Sequence, residues 1–223
     1  MKLSASNIGW RAEEDAAVYR LLQSLGFAGV EETAIGANEA SREYMELLEN
    51  GQMKNIIVTA CASVVMMVER HYPDLIKCLA PVSSPMMAHA KLMRELYGDI
   101  KVVFIGPCLS KMNECDDPLS GGMVNYALTF ADVERWLGGE QVEIGEEDSE
   151  AVGVKNPLSR LYPKPTGILG TIPNDKYGHY KHLAVDGIER CMNLFEWMQR
   201  EDIRGLFVEA NLCTGGCIGG PIM

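Results

Sequence analysis

Short apolar runs alternate with amphipathic stretches along the chain. KLSASNI reads as a strand, AEEDAAVYRLLQSLGF as a helix closed near Gly26, and ANEASREYMELLENG as an amphipathic helix ending at Gly51. NIIVTA is apolar and β-branched, the pattern of a parallel strand buried on both faces. SVVMMVERHYPDLIKCL follows as a helix interrupted by Pro73, which lacks an N–H and clashes with the preceding turn. The cycle then repeats. SPMMAHAKLMRELYG predicts a helix with one apolar face, KVVFIG a buried strand, FADVERWLG and GIERCMNLFEWMQRE two further helices, and GLFVEA a last strand. This order predicts an α/β fold of mainly parallel sheets flanked by helices. Residues from about Gly139 to Lys181 are richer in Gly, Pro and charge, which predicts a long excursion or a boundary between two lobes.

Composition narrows the partners. At 223 residues, 47% of them hydrophobic, the chain can bury a sizeable core as one domain, 1–223, or as two closely joined lobes. Twenty Lys and Arg against 31 Asp and Glu leave a net charge of −11, which repels phosphate backbones and anionic lipid, so neither nucleic acid nor a membrane is an expected partner. MKLSASNIGW lacks the basic region and apolar run of a secretory signal, and no apolar stretch approaches the roughly 18 residues of a membrane span, so a cytoplasmic location is expected. In that reducing compartment the seven cysteines should be thiols, metal ligands or redox groups rather than structural disulfides.

Their placement carries the chemistry. NIIVTA runs into Cys61, KVVFIGP into Cys108 and GLFVEANL into Cys213, with Cys217 just beyond in a glycine-rich tail, CTGGCIGG. Parallel sheets gather their sites at the carboxyl ends of the strands, so these four thiols can converge on one pocket. Cys78 and Cys191 lie inside helical patterns and read as small buried hydrophobes, while Cys115, in NECDD, reads as an exposed thiol. Tetrahedral zinc and an iron-sulfur cluster both accept four thiolates. Zinc sites usually use two tight pairs and only one is present here, so spacing favours a cluster, with zinc and no metal as the alternatives. Glycines let the backbone approach a bulky cluster and offer it N–H donors.

At these residues the sequence resembles the catalytic domain of iron-only (diiron) hydrogenases. VTACASVVMMVERHYPDL resembles the family's T-S-C-C-P-x-W segment and the helix after it, GPCLSKMNE resembles M-P-C-x-x-K-x-x-E, and VEANLCTGGCIGGP resembles E-x-M-A-C-x-x-G-C-x-x-G-G. ETAIGA, SSPMMAHAKL and YALTFADVERWL are also similar to family segments, so the resemblance covers about residues 25 to 223. The first 25 residues are instead similar to the opening βα unit of sugar-isomerase barrels, a reading that leaves the cysteines unexplained.

The resemblance implies a two-lobed domain with a metal cluster in the cleft between lobes. That cofactor, the H-cluster, joins a 4Fe-4S cubane through one cysteine to a diiron subcluster bearing CO and CN ligands. Carried over by matched position, Cys61, Cys108, Cys213 and Cys217 would hold the cubane, and Cys217 would also bridge to the diiron unit. Lys111 would donate to a cyanide, Glu114 matches a glutamate near the proton exit, and Ser84, Pro85, Gly106 and Pro107 would complete the cofactor pocket.

Departures from the pattern point to the sensory or divergent branch. The family's proton-relaying first cysteine of the C-C pair is Ala60, its two methionines are Gly106 and Asn211, and a polar residue is Met86. Alanine relays no proton, which implies slow 2 H+ + 2 e− to H2 interconversion and a hydrogen- or redox-sensing role rather than efficient turnover. A protein keeping only the 4Fe-4S cubane for a structural or iron-sulfur assembly role is the alternative. No C-x2-C-x2-C-x3-C run occurs, so electrons would arrive from a ferredoxin-like donor or a missing N-terminal ferredoxin domain, and sensing would need a signalling domain or partner.

Overall fold

In a computed structural model, which describes residues 2–5, 20–137 and 157–222, every strand pairs in parallel. The first sheet contains β1 (Lys2–Ala5), β2 (Gly29–Glu32), β4 (Val102–Ile105) and β5 (Tyr126–Leu128), in the order β2-β1-β4-β5. The second contains β3 (Ile56–Ile57), β6 (Lys181–Asp186) and β7 (Leu206–Asn211), in the order β3-β7-β6. The helices are α1 (Ala34–Asn50), α2 (Ala62–His71), α3 (Pro85–Tyr97), α4 (Ser110–Asp116), α5 (Phe130–Leu137) and α6 (Ile188–Arg200).

The apolar runs are continuous because each sheet is covered on both faces. Ile56, Val58 and Phe207 face a core built with Tyr44, Ile168 and Tyr177, whereas their neighbours Ile57 and Val208 face a second core with Val68, Tyr72 and Phe195. The same alternation sends Val103 and Ile105 to one side of the first sheet and Val102 and Phe104 to the other. The predicted helix over SVVMMVERHYPDLIKCL ends as an α-helix at His71, and a 3₁₀ segment takes over from Pro73 to Cys78.

Three strands and a helix went unpredicted. β2 carries Glu31 and Glu32, both buried, and their burial depends on distant partners: Glu31 meets His89 Nε2 at 3.2 Å, and Glu32 accepts from Nε and Nη2 of Arg160. β5 and β6 are edge strands with weak apolar pattern, and α4 is only seven residues long. The predicted helix near the start is seen over residues 20–24 and gives way to a turn at residues 25–26; its residues 12–19, with 6–11, lie outside the described residues. The segment 139–181 follows α5 beside the first sheet and runs into β6 of the second, and its residues 139–156 also lie outside the described residues. No helix among the described residues is long and apolar enough to cross a membrane.

Candidate metal centre

The carboxyl ends of both sheets open toward one cleft. Thr33 and Ala34 follow β2, Cys61 follows β3 and precedes α2, Pro107 and Cys108 follow β4, and β7 ends at Asn211, just before Cys213. These termini, with Pro85 and Met86 at the start of α3, line a mainly apolar cavity of about 100 Å³ that also meets Ala60, Lys111, Arg160, Tyr162 and Cys217. A water needs roughly 10–15 Å³ of such space, so the cavity can take a group of many atoms.

Cys61, Cys108 and Cys217 line this cavity; Cys213 is not on its wall but lies near enough to interact electrostatically with the other three. Burial, followed by the neighbouring thiols of Cys61 and Cys108, pushes Cys217 up to about 12, while the Lys111 ammonium pulls it the other way. Cys213 is raised by burial and then by the same two thiols. Ligation of a soft metal would replace the thiol protons and so offset the burial that disfavours the free thiolates. Among the described residues no three His, Cys, Asp or Glu side chains come close enough to hold one metal ion. Four thiols are a soft donor set of the number that an iron-sulfur cubane takes.

The glycine-rich tail is built by backbone hydrogen bonds. The Gly216 N–H donates to the Cys213 carbonyl at 3.0 Å, Cys217 N–H to Pro163 O at 2.8 Å, and Gly220 N–H to Cys217 O at 3.1 Å. Gly216 has φ +74°, and a Cβ there would lie 2.4 Å from the Pro163 carbonyl oxygen, so no side chain fits and Cys217 is fixed against the 163–165 segment. Glu209, buried in β7, accepts from the Leu169 N–H at 2.9 Å and ties the segment after it to the same strand; burial raises its pKa against these hydrogen bonds.

Lys111 is nine-tenths buried, and its Nζ donates to the Ala60 carbonyl at 3.1 Å and to Glu114 at 2.5 Å. Glu114 itself faces a neighbouring cavity of about 490 Å³ shared with Thr59, Ser84 and Lys91. Ser84 stands off the main cavity as the N-cap of α3, its hydroxyl accepting from the Met87 N–H at 3.4 Å. Gly106 is off the wall as well, packed where a Cβ would meet the Phe104 ring at 2.5 Å. Cys78 and Cys191 are buried in the α2–α6 core as expected. Cys115 differs from the exposed thiol expected of NECDD: in the last turn of α4 it packs partly buried against the Val124 cluster, and its thiol donates to the Val124 carbonyl at 3.3 Å. Sequence reasoning missed Thr33, Ala37, Arg160 and Tyr162, brought to the cavity wall by the packing of α1 and the 157–163 segment, and Phe104, which reaches it from β4.

Fold and site together define a parallel α/β domain with a cysteine-lined cleft at the carboxyl ends of its strands. The chain belongs to the iron-only hydrogenase large subunit, C-terminal domain family, whose model matches residues 4–177 and 171–221; it is a hydrogenase-like iron-sulfur domain. It is 25% identical over 205 residues to the cytosolic Fe-S cluster assembly factor NAR1 of Encephalitozoon cuniculi (strain GB-M1), covering 82% of this chain and 54% of that protein. The chain thus spans about half the length of this curated relative. Its fold is that of FeFe-hydrogenase HydA1 from Chlamydomonas reinhardtii, with TM-scores of 0.71 for one variant and 0.68 for an apo variant, each at 18% identity over 100% of this chain and 79% of that one.

Proposed function

We propose that this domain binds an H-cluster-type cofactor and interconverts protons, electrons and dihydrogen slowly, in a hydrogen- or redox-sensing role. The observation that carries this reading is the cavity beside Cys217, which has room for a multi-atom group and Lys111 in its wall, features that a cubane alone does not require. Cys61, Cys108, Cys213 and Cys217 would hold the 4Fe-4S cubane, with Cys217 as its link to the diiron subcluster. When bound, that group supplies the electron storage and the hydrogen chemistry.

The chain's own residues set what surrounds it. Pro85, Met86, Phe104 and Pro107 exclude water from the cavity, and Lys111 holds a positive charge at its edge. Ala60 presents a methyl group and a carbonyl that Lys111 already uses, so no side chain at that position holds a proton. General acid-base help typically contributes about 10²- to 10⁴-fold, and its loss is the reason to expect slow turnover. Glu114, on the neighbouring cavity, would sit at the proton outlet. Electrons would come from a ferredoxin-like donor or domain, and a signalling domain or partner would read the state of the site.

The test is infrared spectroscopy of anaerobically reconstituted protein after supply of the diiron unit. Carbonyl and cyanide bands with slow hydrogen turnover are expected. A four-iron cluster without those bands would favour a 4Fe-4S-only protein with an iron-sulfur assembly role. That second reading is favoured by the Lys111 ammonium being engaged by Glu114 and Ala60, and by the assembly-factor relative.

A further inference from the structure

One carboxylate outside the cleft's walls reaches the loop that carries two of the four cysteines. Asp186 ends β6, and its Oδ2 accepts the Gly215 N–H at 2.7 Å; Gly215 lies midway between Cys213 and Cys217. The other oxygen, Oδ1, accepts from Arg190 at 3.1 Å, one turn into α6. The neighbouring backbone is locked to the same loop, with Gly187 N–H donating to Asn211 O at 2.9 Å. The Asp186 side chain is 18% exposed, so its charge acts through protein as well as solvent.

We infer that Asp186 is a positioning residue of the cysteine loop that also lowers the reduction potential of a cluster bound there, with Arg190 moderating its charge. The inference rests on the reading that the four thiols hold an iron-sulfur cluster. Two physical effects follow from the one contact. The carboxylate fixes the amide between the two ligating cysteines, and an N–H turned toward a carboxylate is not offered to a cluster sulfur, which would raise the potential. Its negative charge also opposes addition of an electron to the cluster nearby. Arg190 offsets part of that charge and keeps the carboxylate oriented.

Asp186→Asn keeps an acceptor for Gly215 and removes the charge, while Arg190→Gln removes the counter-charge and leaves the carboxylate. Each reconstituted variant is examined by iron analysis and by redox titration followed by electron paramagnetic resonance. Four irons per chain should persist in both. The midpoint potential should move to more positive values in Asp186→Asn and to more negative values in Arg190→Gln. A tenfold change in the oxidation equilibrium is about 59 mV for one electron, and the Asn variant should approach it because Arg190 is left unopposed. A role limited to holding the loop would lower iron retention without these opposite shifts. A loaded parent whose variants keep its potential overturns this inference alone. A parent that takes up no cluster overturns the cluster reading and this inference with it. If Asp186→Asn does not fold, the direction of the Arg190→Gln shift decides the matter.

Discussion

Gly36 is where α1 and α3 meet above the cavity, and Gly36→Ala tests how tightly that crossing is built. A Cβ on Gly36 would lie 2.0 Å from the Pro85 carbonyl oxygen, 2.6 Å from His89 N and 2.7 Å from His89 Cβ. Two of the three are backbone atoms, so no rotamer change relieves the contact and the helices must part by more than an ångström. Overpacking of this kind costs about 1–3 kcal/mol, and rigid backbone neighbours place it at the upper end. Against it stands the helix propensity of Ala over Gly, worth up to about 1 kcal/mol. The net loss is about 2 kcal/mol, or roughly 4–8 °C in Tm for a domain of this size. The assay is thermal unfolding of the apo protein by circular dichroism, beside Gly170→Ala, where a Cβ would meet nothing within 4 Å. The separation also moves Pro85 and Met86 on the cavity wall, while the four cysteines lie on other segments, so iron uptake should survive. A Gly36→Ala protein as stable as the parent, or more stable, would show that propensity wins and that the crossing is looser than argued.

Other outcomes follow from the site. Anaerobic reconstitution should give four irons and four sulfides per chain, and Cys108→Ala should lower the iron bound; equal iron in the variant would remove Cys108 from the ligand set. Ala60→Cys in fully matured protein should raise hydrogen evolution with nearly unchanged infrared bands, by less than the full 10²- to 10⁴-fold because Met86 and Ala80 leave other relay positions apolar. A parent already as fast as efficient hydrogenases would refute the sensing role. Burial pushes Cys191 from the usual 9.0 up to about 12, so the unfolded chain releases this proton first as pH rises. Stability of the apo protein should hold below pH 9 and fall above it by about 1.4 kcal/mol per pH unit for this thiol. Urea titrations of parent and Cys191→Ala across that range would measure it, and parallel pH profiles would contradict it.

The sequence by itself determined the fold class and singled out the candidate site residues, since both are read from local pattern. NIIVTA and KVVFIG can only be buried between two layers, and the cysteine that follows each is placed by the rule that parallel sheets gather sites at their carboxyl ends. Matched motifs then gave Lys111, Glu114 and the missing thiol at Ala60. What only the tertiary structure decided depends on partners far apart in the chain. β2 is hidden in the sequence because Glu31 and Glu32 make a poor strand pattern until His89 and Arg160 meet them from 58 and 128 residues away. Motif matching alone marks Lys111 as a donor, and only the fold buries it and lays it against the Ala60 carbonyl 51 residues earlier. Asp186 carries no motif at all, and its hold on Gly215 exists because β6 and β7 lie side by side and end together. Local pattern fixes what a segment is, and long-range contacts, which no short window of sequence contains, fix what its side chains touch.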